Sequence, residues 1–480
     1  MGYIRGDNME TFLNKKDRRA YEIIKKIENS DTNEMKVKTI ASELGLSEHK
    51  VIEIIQALND DLVTDEHQDK FDVYINEVGV LVKKSNFSSS FFLMYFLRRS
   101  IYYHILDDLF YSRIISLEEY SDRWFVSKAT MGRHWHYLKD NLEKYEIKII
   151  KRNNKFQLEG SEEIIRSFYF KLFKISQLPI KGVSGEVEEL CRIYWDVNEE
   201  MSQKSIDDFK VMISIIYLRL TQGKYIARDK EYFYLKDEMP KNNFFYGKLT
   251  SFYQDFSMKE EQVTREFFFF TFFLRTNLII SKSSLSVSGV YLNSAIVTGP
   301  YFTICSEIID TVKETYNIKM EAEEYFYLLV NLYMMIRKKE VYGELVDFVD
   351  HRYQTAIYKK FIDKLPDKLL QHASITTYQL YVVIFPLLTK VQEPLRLMVI
   401  SSLGDHYREI IEKYLDVFMG NAIVYVRQLI ERPDIILSDT FYEAGDIPCI
   451  YMPIFPNTVD LQYSMNQVWK IIIEKRKNKD

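Results

Sequence analysis

The chain of 480 residues, 47% hydrophobic and 28% charged with a net charge of −5, has a globular composition and length for about three or more domains, which excludes a wholly disordered or fibrous protein. Only 16 Gly and 10 Pro leave few turn makers and favour long helices over an all-β fold. The three cysteines Cys191, Cys305 and Cys449 are too sparse for a disulfide framework or a metal knuckle, which suits a reducing cytoplasm.

The opening MGYIRGDNME lacks the apolar core of a signal peptide, so a cytoplasmic protein is expected. From Lys15 to Leu62 apolar residues recur at helical spacing. Within that stretch Val37, Ile40, Ala41, Leu44, Gly45, Leu46, Val51, Ile54 and Leu58 fit a helix-turn-helix: Ala41 is small enough for two helices to touch, and Gly45 tolerates the left-handed backbone of the turn. Ser47 is placed to cap the second helix, with Lys50 in its first turn not completing a capping box. The segment FDVYINEVGVLVKK alternates around Asn76 to Gly79 and predicts a hairpin, the wing of a winged helix.

A linker helix, SSFFLMYFLRRSIYYHIL, leads to a second copy. Here LEEYSDRWFVSKATMGRHWHYLKDNLEKY repeats the layout, with FVSKAT as the turn and cap, and Met131, Trp135 and Leu138 face the core at i, i+4 and i+7. The hairpin IKIIKRNNKFQLEG and the helix IIRSFYFKLF follow. Between Arg123 and Lys155 nine Lys or Arg stand against three acids, a net +6 that leaves −11 for the rest of the chain. Lys and Arg at this density suit the displacement of counterions from duplex DNA. Lys36 to Leu58 of the first copy carries three basic and three acidic residues, so the second module is expected to be the main DNA reader.

On the expected recognition helix Lys128, Thr130, Arg133, His134 and His136 project away from Met131 and Trp135. Arg133 suits a bidentate contact to guanine, and Ser127 with Lys128 a phosphate or a base edge. Arg152 and Lys155 of the wing are expected along the DNA backbone, and Ser47, His49 and Lys50 are the corresponding candidates in the first module. Further along, FFFFTFFL (Phe267 to Leu274) is far short of the ~20 residues of a spanning helix and predicts a buried core helix. The tail alternates strand and helix, LRLMVISS, DHYREIIEKYL, NAIVYVR, PDIILSD, IPCIYMPIF and a closing helix from Val459 to Lys475, which predicts a small parallel α/β sheet.

On FVSKATMGRHWHYLK and LEKYEIKIIKRNNKFQLEGSEEIIRSFYFKLF, with Gly160, Glu163 and Arg166, together with the first helix-turn-helix, the chain resembles the Mga and AtxA-type virulence and global regulators of Gram-positive bacteria. The resemblance implies a multidomain, predominantly α protein: a first winged helix-turn-helix over 1–86, a linker helix and second winged helix-turn-helix over 87–180, helical PTS-regulation-like (PRD-like) domains over 181–286 and 287–393, and an EIIB-like α/β domain over 394–480. Such helical domains can be controlled by phosphorylation on histidine. None of the eight histidines lies between Lys181 and Ser286, so the resemblance places Asp207 near the first acceptor, as an imitation of a phosphorylated state. In the second domain His372 is the leading acceptor and His351 the runner-up, while Phe385-Pro386 stands where related chains have histidine. The EIIB fold uses a cysteine thiolate after its first strand. Here that position is ISSLGD, with Ser401 and Ser402, and Cys449 is expected to be buried and inert, so the tail is expected to serve self-association without catalysis.

The chain has no GxxxxGK[ST], HExxH, CxxC or GxSxG pattern, and no enzymatic activity, cofactor or metal is expected. The expected function is a double-stranded DNA-binding transcriptional activator that forms a homodimer or higher oligomer and favours curved or AT-rich promoter DNA, with phosphotransfer-system proteins as further partners and no membrane. The alternative is a phosphotransfer-system-linked sensor or scaffold that binds protein partners without DNA. An RNA-binding antiterminator fits less well, because an A-form major groove is too deep and narrow for a helix to read.

Overall fold

The computed structural model describes residues 9–28, 34–65, 67, 73–76, 79–83, 88–113, 116–152, 155–197, 202–227, 244–277, 301–315, 320–342, 394–442, 445–454, 456, 460–461, 463–468 and 471. They fall into two compact units, Met1–Val383 and Ile384–Asp480.

In the first unit, α1 (Lys15–Glu28) buries Tyr21, Ile23, Ile24 and Ile27, α2 (Val37–Leu44) buries Ile40 and Ala41, and α3 (Glu48–Thr64) buries Val51, Ile54, Ile55, Leu58 and Leu62. Gly45 takes the left-handed turn at φ 64, and Ser47 caps α3 by accepting from the Lys50 N–H at 3.2 Å. The expected hairpin is present as β2 (Val73–Ile75) and β3 (Val80–Lys83). A strand absent from the sequence reading, β1 (Glu34–Lys36), pairs antiparallel with the other side of β3, so the wing is a three-stranded sheet of order β1-β3-β2.

The linker is two helices, α4 (Ser89–Arg98) and α5 (Ile101–Phe110), where one was expected. Ser100 is the cause: its Oγ accepts from the Tyr102 N–H, capping α5, and donates to the Phe12 carbonyl at 2.5 Å. Next to it Arg99 pairs with Asp17 of α1 at 2.5 Å and Asp61 of α3 at 3.1 Å. The second module follows as α6 (Leu117–Arg123), α7 (Lys128–Glu143), the antiparallel hairpin β4 (Lys148–Arg152) and β5 (Lys155–Glu159), and α8 (Glu162–Ser176). Tyr137 of α7 donates to the Thr11 carbonyl at 3.1 Å, and the Arg18 guanidinium lies 5.3 Å from its ring centroid. The two modules are therefore packed on each other, not joined by a free linker.

Beyond α8 come α9 (Gly185–Val197), α10 (Gln203–Thr221), α11 (Phe244–Gln254), α12 (Glu260–Asn277), α13 (Phe302–Thr315) and α14 (Ala322–Tyr342). The phenylalanine run lies in α12 with Phe267, Phe268, Phe269, Phe270, Phe272 and Phe273 buried, as its apolar character predicts. Among the described residues no helix is long and apolar enough to cross a membrane.

Helix α8 is the structural joint of this unit. Its Tyr169 hydroxyl donates to the Leu106 carbonyl of α5 at 2.9 Å, and the rings of Tyr169 and Phe173 pack on Phe110. From its other side Arg166, fully buried, donates to Glu162 at 3.1 Å, to the Lys224 carbonyl at 3.1 Å, and through both terminal nitrogens to Glu266 of α12. Arg219 of α10 donates to both oxygens of Glu162 at 2.7 Å. Burial opposes ionisation of Glu162, but Arg219 and Arg166 outweigh it and hold the carboxyl below its usual range.

The second unit is a parallel sheet of order β7-β6-β8-β9, with β6 (Leu395–Ile400), β7 (Ile423–Val426), β8 (Ile435–Ser438) and β9 (Cys449–Tyr451). Helix α15 (Asp405–Met419) connects β6 to β7 and packs Ile411, Leu415 and Met419 on the sheet core. The small parallel α/β tail expected from the alternation is present. Cys449 is half-buried on the edge strand, not enclosed.

Candidate nucleic-acid interface

Helix α6 ends at Arg123, and the next residues turn the chain into α7. The Val126 N–H reaches the Ser121 carbonyl at 3.0 Å and the Phe125 N–H the Asp122 carbonyl at 3.2 Å, the paired bonds of a Schellman end with a left-handed residue between them. In the first module the Leu46 N–H reaches Ala41 at 2.9 Å around Gly45. The left-handed residue of the second turn is Phe125, at φ 51 and 96% exposed. Ser127 then caps α7, accepting from the Thr130 N–H at 3.1 Å as Ser47 does from Lys50. Met131, Trp135, Leu138 and Leu142 are buried under α7, as Val51, Ile55, Leu58 and Leu62 are under α3. The Trp135 ring meets Phe156 of β5 at 4.7 Å between centroids, which fixes the wing to the helix.

Ser127, Lys128, Arg133 and His136 are exposed on α7 and its cap. Thr130 is half-buried, and its Oγ1 shares a hydrogen bond with Ser127 Oγ at 2.9 Å and accepts from Arg133 at 3.1 Å, so it holds its neighbours in place. His134 departs from expectation. It turns inward and its Nδ1 is hydrogen-bonded to the Tyr102 hydroxyl at 2.9 Å, in the register that buried Ile54 occupies in α3. Burial, with the Arg133 guanidinium, lowers its pKa. His136 faces Asp140 at 3.5 Å.

The +6 count needs qualification by geometry. Lys128 is paired with Glu118 at 2.5 Å, Arg123 with Asp108 at 3.1 Å, and Arg152 with Glu159 at 3.5 Å. Its hydrogen bond from Lys128 holds the exposed Glu118 carboxyl below the usual range. Arg133, Lys139, Lys144, Lys148, Lys151 and Lys155 have no ion-pair partner among the described residues, and they supply the free cationic surface of this module. Arg152 and Lys155 sit opposite each other in the strand register at the tip of the hairpin. In the first module Ser47 and His49 are exposed, and Lys50 is held by Glu53 at 2.7 Å.

Asp207 is exposed on α10 and accepts from Gln203 at 3.0 Å. Its neighbour Asp208, which the sequence reading passed over, is buried and paired with Lys174 of α8 at 2.7 Å and Lys204 at 3.1 Å. His351, His372 and Phe385-Pro386 lie outside the described residues. Among the described residues no group of His, Cys, Asp and Glu is arranged to hold a metal ion.

Two helices crossed over a tight turn, an exposed second helix and a cationic hairpin define a winged helix-turn-helix of the DNA-binding kind. Residues 85–173 match the Mga helix-turn-helix domain, a segment that runs from the start of α4 into α8, so the resemblance to Mga-type regulators is shown over this domain. No curated protein matches the chain.

Proposed function

We propose that the protein is a cytoplasmic transcriptional regulator, an activator, that binds duplex DNA through the second winged helix-turn-helix, with α7 in the major groove and the β4-β5 hairpin along the phosphates. The observation that carries this is the match of 85–173 to the Mga helix-turn-helix domain on a module whose Arg133, Lys148, Lys151 and Lys155 lack ion-pair partners among the described residues. Phosphate contacts by such residues fix register, and the N-terminal part of the recognition helix reads base edges. The first module, packed on the second through Arg99 and Tyr137, extends the same footprint. The helices beyond α8 are read as PRD-like regulatory domains that assemble the active oligomer together with the EIIB-like tail.

Fluorescence anisotropy on a duplex from the region upstream of the gene, across a salt series, tests this reading. Affinity is expected to fall steeply with salt, and Arg133→Ala/Lys155→Ala to bind more weakly with a slope smaller by roughly one to two units. No binding at low salt would favour the scaffold reading.

A further inference from the structure

The turn of the second module carries a residue that the fold does not ask for. Its hydrogen bonds require a left-handed residue between Arg123 and Val126, and in the first module that place is filled by Gly45 at φ 64, which adopts it without steric penalty. Phe125 stands there instead at φ 51 with its ring 96% exposed. A bulky side chain is disfavoured in that backbone region, and its ring gains nothing from burial to offset the strain. Strained, unpacked residues of this kind cluster at functional sites. This one lies two positions before Ser127, the cap of α7, at the end of the recognition helix that approaches base edges, on the module whose Arg133, Lys148, Lys151 and Lys155 have no ion-pair partner among the described residues. Such surroundings fit a polyanion better than an apolar protein surface.

Resting on the function proposed above, we propose that Phe125 is a DNA-contacting residue whose ring packs against thymine C5-methyl groups in the major groove beside α7. The thymine methyl is the apolar feature among the base edges displayed there, and side chains such as Phe read it by contact. The exposed ring then leaves water only in the complex, and the left-handed backbone is what aims it outward.

The test uses the full chain, with Phe125→Gly and Phe125→Asn, two residues that accept the left-handed backbone. Both are expected to have a denaturation midpoint no lower than wild type. On a duplex that wild type binds, both are expected to lose affinity roughly five- to tenfold, a loss in the range of one good contact. Replacing every thymine by deoxyuridine is expected to weaken wild type by a similar factor and to cost the variants little more, so that the two losses are not additive. Unchanged affinity in the variants, or fully additive losses, overturns the proposal. Unchanged affinity with lost promoter activation also overturns it and assigns the ring to a protein contact. Failure of wild type to bind any duplex is a different result, which removes the DNA-binding function itself.

Discussion

Arg166 offers the sharpest test of how the helix-turn-helix region is tied to the rest of its unit. It is fully buried, and Arg166→Met would remove its bonds to Glu162, Glu266 and the Lys224 carbonyl. Glu162 keeps both bonds from Arg219 at 2.7 Å, whereas Glu266 keeps, among the described residues of this network, the bond from the Ile226 N–H at 2.9 Å. The loss is therefore concentrated on one fully buried carboxylate without a cation, and breaking a buried pair on one side costs about 3–5 kcal/mol. Against a domain stability of about 5–15 kcal/mol, that is a large fraction. Urea unfolding followed by circular dichroism should show the cooperative unit containing α8 shifting to a lower midpoint with the slope unchanged. Arg166→Met/Glu266→Leu, which removes both charges, should recover most of the loss, to within about 1–2 kcal/mol of wild type. A single variant costing less than about 1 kcal/mol, or a double variant as unstable as the two single losses added, would refute the assignment of this network as the joint.

Four further outcomes are expected. Glu118→Gln frees Lys128 from its 2.5 Å ion pair and should raise affinity for nonspecific duplex and steepen the salt dependence by up to about one unit, read by the same anisotropy titration. Gly160→Ala would place a Cβ 2.8 Å from the Glu146 carbonyl oxygen, and since the opposing atom is backbone the variant should lose about 1–3 kcal/mol in urea unfolding. His134 has a folded pKa below its unfolded value of about 6.5, so the folded state binds fewer protons in that range and stability should decline as the pH falls through it; in His134→Ile, which copies Ile54 of α3, the midpoints at pH 7.5 and 5.5 should differ less. In the second unit Asp439 accepts from Ser401 Oγ at 2.7 Å and the Ser402 N–H at 2.6 Å, and Asp439→Ala should speed amide exchange at Ser402, a result that no change in exchange would contradict.

Local order explains what could be read from the chain. Gly45, Ser47 and Ser127 each do their work within four residues, and the apolar spacing under α3 and α7 reports a single helix face, so both helix-turn-helix units were visible without long-range information. Alternating strand and helix in the tail likewise announced a parallel sheet, whose strands pair as expected. Strand β1 was not visible, because three residues, Glu34–Lys36, carry no periodicity, and their extended form depends on the edge that β3 offers. The break at Ser100 was hidden for a related reason: a serine between two apolar stretches can sit inside a helix or cap a new one, and here the Phe12 carbonyl, from the N-terminal end of the chain, accepts from the hydroxyl that caps α5.

The site shows where residue type alone misleads. Counting charge gave +6 between Arg123 and Lys155, but Glu118 and Asp108, which lie outside that window, neutralise Lys128 and Arg123 in space. Residue type alone puts His134 outward, although the spacing that buries Ile54 in α3 places it inward, where the Tyr102 hydroxyl makes its burial tolerable. The signal for Phe125 was present as well: FVSKAT beside LGLSEHK sets an aromatic residue where the first copy has glycine. Two turns that close through the same bond, Leu46 N–H to Ala41 and Val126 N–H to Ser121, over a left-handed residue should favour the same residue there if folding alone decided it. The difference between Gly45 and Phe125 is therefore a difference in what the two turns do, and the module with the strained aromatic is also the one with the unpaired cations of the hairpin.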